Sequence, residues 1–237
     1  MSRFANLLKR VTTHLTQVGA GKQYADPDPP GSTDQFLHSC RGVIHVGANS
    51  GQERELYARH GLSVIWIEPI PEVYQELLVN IRDFPEQRAV NALITDVDGA
   101  EYTFHVASNA GASSSILDLH HHRDIWPQID YVSDLRLRSS TLPSAIGAAG
   151  VYLDAFDALV IDTQGSELMV LRGAAHILSR FKWIKTEAAD FEAYRKCTTV
   201  SELTEYLRQF GFCILRREQF AIRPRGGAYW DVLFGRR

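Results

Sequence analysis

Three carboxylates standing at the ends of apolar runs are the side chains best placed to do chemistry. Glu68 closes Val64-Ile65-Trp66-Ile67, Asp162 closes Ala158-Leu159-Val160-Ile161, and Glu187 follows the run from Lys182 to Thr186. Polar groups at the C-terminal ends of parallel strands border the crevice where open α/β sheets bind ligands. Ahead of Glu68, the stretch Val43-Ile44-His45-Val46-Gly47-Ala48-Asn49-Ser50-Gly51 turns from an apolar run into a loop with two glycines. A helix-like segment, Gln52 to His60, follows at once, so the loop is expected to bring bare backbone and a helix N-terminus to a ligand. An acid seventeen residues beyond Gly51 can accept hydrogen bonds from the two hydroxyls of a ribose. The glycine spacing is not G-x-G-x-x-G, which argues against a nicotinamide cofactor.

The polar tip Asp162-Thr163-Gln164-Gly165-Ser166-Glu167 offers several roles. Asp162 could hold a cofactor's ammonium group, orient a substrate hydroxyl, or act as general base within about 3 Å of the proton it removes. Glu167 reads equally as a first-turn acid favoured by the helix dipole. Glu187 should lie beside Asp162 if their strands are neighbours. Such a pair can share a divalent cation or divide base and binding roles, with surface or capping duty as the plain alternative. His120-His121-His122 cannot converge on one metal, because consecutive side chains diverge on a helix or strand, so no metal site is expected. His121 or His122 could serve as a base near neutral pH. Ser113-Ser114-Ser115 could give hydroxyls and amides to a ligand. The candidate set is therefore Asp162, Glu187 and His121 for catalysis, with Ser114, Ser115, His122 and Gln164 toward the substrate.

Positioning these residues requires alternating strands and helices. Val43 to Val46, Ser63 to Ile67, Ala89 to Leu93, Ala158 to Ile161 and Lys182 to Thr186 read as strands, and helices are expected from Gln52, after Pro71, over Ser166 to Leu178 and over Val200 to Phe210. Asp96-Val97-Asp98-Gly99 reads as a hairpin turn, and residues 108–141 as irregular, the natural place for substrate-facing loops. Two closing strands, Phe212 to Arg217 and Tyr229 to Phe234, would add an antiparallel strand to a mostly parallel sheet. The α/β domain is expected to span residues 41–237. Residues 1–40 form an extension: a basic amphipathic helix, with Arg3, Lys9, Arg10 and Lys22, then a Pro-rich linker from Asp26 to Ser32. The helix could lie on an anionic membrane surface, dock on a partner, or pack on its own domain or a second subunit.

Composition narrows the classes. The 237 residues carry a net charge of −3 and are 45% hydrophobic, which suits one domain with a sizeable core and no global basic field for nucleic acid. Three widely spaced cysteines, Cys40, Cys197 and Cys213, fit neither a disulfide framework nor a zinc site and suit a reducing cytoplasm. Neither a membrane-spanning run nor a signal-peptide core is apparent.

With these residues assembled, the chain resembles the FkbM-type S-adenosylmethionine (SAM) dependent methyltransferases over roughly residues 40–235. The resemblance rests on His45-Val46-Gly47-Ala48-Asn49-Ser50-Gly51, Trp66-Ile67-Glu68-Pro69, Ser113 to Ile116, Ile161-Asp162-Thr163-Gln164-Gly165-Ser166-Glu167 with Leu171-Arg172-Gly173-Ala174, and Trp230-Asp231-Val232-Leu233-Phe234. It implies a class I, Rossmann-like methyltransferase fold with SAM as cofactor. The cofactor would lie over Gly47, Ala48, Asn49 and Gly51, its ribose on Glu68 beside Pro69, its adenine near Asn91 and Ala92, and its reacting end toward Asp162. It further implies O-methylation of a hydroxyl on a sugar, glycan or natural product. N-methylation and a non-catalytic SAM-binding module are the alternatives. The family commonly has Asp where this chain has His45, which leaves Asp162 as the candidate anchor for the methionine moiety.

Overall fold

A computed structural model describes residues 31–236. The basic helix expected over residues 1–22, and the linker as far as Pro30, lie outside the described residues. The described strands are β1 (Gly42–Val46), β2 (Ser63–Glu68), β3 (Gln87–Asn91), β4 (Leu93–Ile94), β5 (Glu101–Ala107), β6 (Tyr131–Ser140), β7 (Ala158–Ile161), β8 (Trp183–Ala189), β9 (Phe212–Ile222) and β10 (Ala228–Arg236). The α-helices among them are α1 (Arg54–Arg59), α2 (Pro71–Ile81), α3 (Leu142–Ala148), α4 (Glu167–Gly173) and α5 (Val200–Arg208).

Seven strands form one sheet in the order β3-β2-β1-β7-β8-β10-β9. The first five are parallel, β10 is antiparallel to β8, and β9 is antiparallel to β10. This is the mixed sheet that the resemblance implies. Central β1 and β7 are buried on both faces, which is why their sequences, His45 apart, are apolar throughout rather than alternating. On one face Ile44, Leu159, Ile184 and Phe234 pack under Leu171 of α4 and Leu203 and Leu207 of α5. The opposite face seats Val43, Val64, Trp66 and Val160 against Tyr57, Leu77 and Ile81. The chain leaves β1 toward β2 on one side while β7 lies on the other, so a crevice opens above the ends of β1 and β7.

Element ends follow local chemistry. Pro71 occupies the first turn of α2, where its missing N–H costs nothing. Thr199 and Glu202 form a reciprocal capping box at the start of α5.

The structure revises several expected boundaries. Residues 33–40, grouped from sequence with the extension, are packed on the sheet: Phe36 and Leu37 are buried, the Thr33 N–H donates to Glu218 Oε1 (2.7 Å), and Lys185 Nζ is 2.5 Å from Asp34 Oδ1. The third strand ends at Asn91, and Leu93–Ile94 departs into a second sheet of order β4-β6-β5. The turn through Gly99 is therefore no tight hairpin, because β6 inserts between the strands it joins. Residues 131–140, expected to be irregular, form that ten-residue strand. Its apolar signal is diluted: Leu135 and Leu137 alternate with Asp134, Arg136 and Arg138, and only the leucines pack toward Phe104 and Ile70. The helix expected over Ser166 to Leu178 breaks after Gly173 into a 3₁₀ turn over Ala175–Arg180, with Leu171, Ala174 and Leu178 still facing the core.

Candidate active site

The glycine loop is built from the sheet outward. β1 ends at Val46, and Gly47, Asn49 and Gly51 follow at φ values of 84°, 45° and 73°. These left-handed conformations reverse the chain within five residues. Every backbone N–H from Gly47 to Gly51 is already bonded inside the protein. Those of Gly47 and Ala48 donate to Ile67 O (2.9 and 3.0 Å), that of Asn49 to Glu68 Oε2 (2.9 Å), that of Ser50 to Asn49 Oδ1 (2.8 Å) and that of Gly51 to Ala48 O (3.0 Å). The backbone of Gly47, Ala48 and Asn49 borders the cleft, with its amides committed to acceptors of the protein itself. The glycines are required by packing: a Cβ on Gly47 would stand 1.8 Å from Asp162 O, and one on Gly51 would stand 2.7 Å from Leu77 Cδ1. α1 itself begins only at Arg54, so its N-terminus is not presented directly after the loop.

Glu68 holds this loop. Its two oxygens accept from the N–H groups of Asn49 and Ile70, both at 2.9 Å, and the side chain is 4% exposed. Burial pushes its carboxyl up to about 7 against the pull of those N–H donors. A carboxylate oxygen has a second lone-pair site, so Glu68 retains acceptor capacity toward the cleft it lines.

Across the crevice, Asp162 and Glu187 stand on neighbouring parallel strands, as expected, beyond the pair Ile161 and Thr186. Gln164 ties them together. Its Nε2 donates to Asp162 Oδ1 (2.6 Å) and lies 3.4 Å from Glu187 Oε1, while its Oε1 accepts from the Tyr194 hydroxyl (2.7 Å). The left-handed backbone of Gln164, φ 53°, turns the side chain back over the strand ends. Glu167 Oε1 braces the same turn by accepting from the N–H groups of Thr163 and Gly165 and from the Thr163 hydroxyl, and its Oε2 is buried without a partner. Burial raises the carboxyls of Asp162 and Glu167 to about 7 and that of Glu187 well above its usual range; for Glu187 the neighbouring Asp162 adds to the effect.

One cleft of about 210 Å³ joins these parts. Of the sequence-predicted residues, Gly47, Ala48, Asn49, Glu68, Pro69, Ala92, Ser114, Asp162 and Gln164 line it. The others stand elsewhere. Gly51 is buried under Leu77, and Asn91 is exposed with its amide donating to Glu68 O (2.8 Å) and Pro69 O (3.2 Å). Ser115 donates to Gln164 O (2.9 Å), and Glu187 lies behind Gln164 beside Tyr194 and Tyr229. His121 is 3.0 Å from Arg223 and 3.3 Å from Asp124, outside the cleft. His122 is buried with Nδ1 2.7 Å from the Tyr229 hydroxyl, and burial holds its imidazole down at about 4. A base role for His121 and a substrate contact for His122 therefore find no support in their placement. Among the described residues, no group of three or more His, Cys, Asp and Glu could hold a metal ion.

Sequence reasoning missed His45, Glu53, Ile94 and Phe104 as cleft residues. His45 stacks on Trp66 with ring centroids 5.0 Å apart, its Nδ1 is 3.2 Å from the Tyr57 hydroxyl, and burial, assisted by Lys185, holds it neutral down to about 3. Phe104 was findable as the middle one of Tyr102, Phe104 and Val106, which stand two apart and share one face of β5.

Comparison with known proteins gives the class first. The Synechocystis PCC 6803 magnesium protoporphyrin IX methyltransferase (ChlM), solved with bound SAM, superposes with a TM-score of 0.50 at 10% identity, over 100% of this chain and 92% of its own. The METTL16 MTase domain gives 0.51 at 10% identity, over 86% of this chain and 64% of its own. The fold is that of the class I methyltransferases. Within that class, the chain belongs to the family of the methyltransferase FkbM domain, whose model matches residues 45–214. A curated relative, the 2-O-methyltransferase NoeI of Sinorhizobium fredii (strain NBRC 101917 / NGR234), is 24% identical over 192 residues, 78% of this chain and 75% of the relative.

Proposed function

We propose that this chain is a SAM-dependent O-methyltransferase acting on a hydroxyl of a sugar, glycan or natural product. The observation that carries the reading is the single cleft bordered by Glu68 and the Gly47 to Asn49 loop on one side and by Asp162 and Gln164 on the other. Its residues suit the cofactor. Glu68 has acceptor capacity for ribose hydroxyls, Ala92, Leu93, Ile94 and Phe104 offer apolar surface to a purine, and Asp162 places a carboxyl where a cationic centre is welcome. When bound, SAM supplies a methyl group already activated on a sulfonium. The chain's own task is alignment and proton handling. Gln164 occupies Asp162 Oδ1, leaving Oδ2 for an acceptor hydroxyl. The acceptor oxygen takes the methyl, and its proton passes to Asp162. A carboxyl raised to about 7 is a stronger base than an ordinary aspartate at neutral pH. The relation to NoeI supports oxygen as the acceptor atom. Incubation with SAM and a panel of glycans, read by mass spectrometry, tests the reading: methylation of a hydroxylated acceptor supports it, and transfer confined to amines rejects it.

Two expected results concern the cofactor. Glu68→Gln removes the charge while keeping one acceptor oxygen, and should weaken SAM binding by about 1.5–3 kcal/mol, the range for a hydrogen bond to a charged group. Calorimetry showing parental affinity in a folded variant would remove Glu68 from the ribose site. The second is a pH dependence. Asp162 is neutral below about 7, and a fixed positive sulfonium favours its ionised form, so binding releases a proton and SAM affinity rises with pH until Asp162 is ionised. S-adenosylhomocysteine lacks that charge and should show a shallower slope below pH 7. Equal slopes for the two ligands would place the sulfonium away from Asp162.

A further inference from the structure

Tyr194 stands behind Gln164, buried to 1% exposure, with a hydroxyl to which the methyl-transfer reading gives no task. Its place is fixed from three sides. Leu119 bridges to it as an isolated antiparallel pair, and its carbonyl accepts from the Cys197 N–H (3.1 Å). Its ring packs on Gly165, where an added Cβ would stand 3.3 Å from Tyr194 Cδ2 and 2.8 Å from Cys197 Cβ. The hydroxyl lies 2.7 Å from Gln164 Oε1 and 3.3 Å from Ser113 O. Both are acceptors, so its one proton serves them, the shorter contact first.

That donation decides how the Gln164 amide points. With Oε1 held by Tyr194, Nε2 faces two carboxyls, 2.6 Å from Asp162 Oδ1 and 3.4 Å from Glu187 Oε1. The reverse orientation would bring Oε1 against Asp162 Oδ1, which two acceptors tolerate only with a proton between them. An ionised Asp162 therefore needs the orientation that Tyr194 completes. The surroundings otherwise oppose that ion. Burial holds the carboxyl up first, the Gln164 N–H draws it down, and Glu167 on α4, Glu53 ahead of α1 and Asp231 on β10 push it up again. Glu187 on β8 is raised by Asp162 in turn. Of the basic groups on these strands, His45 on β1 is neutral and Lys185 on β8 is committed to Asp34.

We propose that Tyr194 is a positioning residue for methyl transfer: its hydroxyl fixes the Gln164 amide, and through that amide it holds Asp162 with Oδ1 occupied and Oδ2 left for the acceptor hydroxyl. The proposal rests on the reading of Asp162 as the base and adds to it the residue that keeps this base aimed and ionised. Tyr194 does not line the cleft, so its action passes through Gln164, which does.

The test uses the full chain and needs no acceptor. Isotope-labelled aspartate carboxyl carbons are titrated by NMR, the Asp162 signal being the one that Asp162→Asn removes, and SAM and S-adenosylhomocysteine are titrated by calorimetry near neutral pH. Tyr194→Phe keeps the ring and removes the hydroxyl. The Asp162 midpoint should rise by about one pH unit, a tenfold change in proton affinity, because a carboxylate that loses an N–H donor is harder to ionise. SAM should then bind more weakly while S-adenosylhomocysteine keeps its parental affinity. In the Asp162→Asn background the same substitution should leave SAM affinity unaltered, because the path through the carboxylate is gone. Gln164→Ala removes the amide itself and should raise the midpoint at least as far, which keeps the proposal testable if Tyr194→Phe does not fold. A parental Asp162 midpoint in either folded variant overturns the proposal. So does a loss of SAM affinity on Tyr194→Phe that persists in the Asp162→Asn background, since lost packing alone would produce it. Methyl transfer at the parental rate in Asp162→Asn would instead overturn the base reading, and the proposal with it, even with the midpoint shift intact.

Discussion

Gly47→Ala is expected to destabilise the fold by about 2–6 kcal/mol and to remove cofactor binding from whatever remains folded. Two costs combine. The left-handed conformation at φ 84° strains any residue with a Cβ, by about 1–3 kcal/mol. The new methyl would also meet Asp162 O at 1.8 Å and Asp162 C at 2.7 Å, both backbone atoms of the neighbouring strand end, so relief requires parting β1 from β7; overpacking of this kind costs about 1–3 kcal/mol or more. That movement would carry Asp162 away from the loop, which ties the stability loss to the site. Gly61→Ala is the matched control: its φ is 65°, but nothing lies within 4 Å of the added carbon, so only the conformational cost applies. Urea unfolding of both variants checks the argument. If Gly47→Ala lost no more stability than Gly61→Ala, close approach of the strands would not be what selects glycine there.

This explanation of Gly47 marks where sequence reading stops. A glycine after an apolar run announces a loop, yet whether the missing side chain makes room for a ligand or for a neighbouring strand depends on a residue 115 positions away in the chain. The core strands were legible because burial on both faces makes them, His45 apart, apolar throughout, and their parallel order puts Glu68, Asp162 and Glu187 at one end of the sheet. Local pattern failed where two signals compete. In β6 alternating charges outweighed alternating leucines, and Leu93–Ile94 left the main sheet through pairing with Ser139 and Ser140, which no local preference encodes. The histidine run illustrates a different limit. Chemistry alone makes His121 an eligible base, but its partners Asp124 and Arg223 come from its own turn and from the β9–β10 loop, and they hold it outside the cleft. Gln164 was legible as a polar residue at a strand tip. Its bridging role became visible only with Tyr194, Asp162 and Glu187 placed around it.

Asp162→Asn is expected to lower the rate of methyl transfer by about 10²–10⁴ at saturating SAM, the range usual for general-base assistance. The substitution is nearly isosteric, and Asn Oδ1 can still accept from Gln164 Nε2, so the bridge to Tyr194 should survive. What disappears is the proton acceptor at the second oxygen. The same change relieves the repulsion that helps to keep Glu187 protonated, so the variant should fold at least as well as its parent above pH 7, where the parent must ionise a carboxyl that burial resists. The sign follows from the raised value: a buried acid with a raised pKa contributes stability below its ordinary pKa of 3.8 and loses it as pH rises through about 7, and Asn has no such loss. Single-turnover transfer to an identified acceptor, measured across pH 5 to 9, separates base from spectator. With SAM bound, the sulfonium draws the Asp162 carboxyl below the value of about 7 that it has in the empty site, so the parental rate should climb and level off below that pH, while the variant's residual rate should lack the climb. A variant within about threefold of the parent, well short of the range for lost base catalysis, would show that Asp162 neither takes the proton nor orients the hydroxyl. Glu187, the carboxylate held by the same Gln164 amide, would then be the next residue to change.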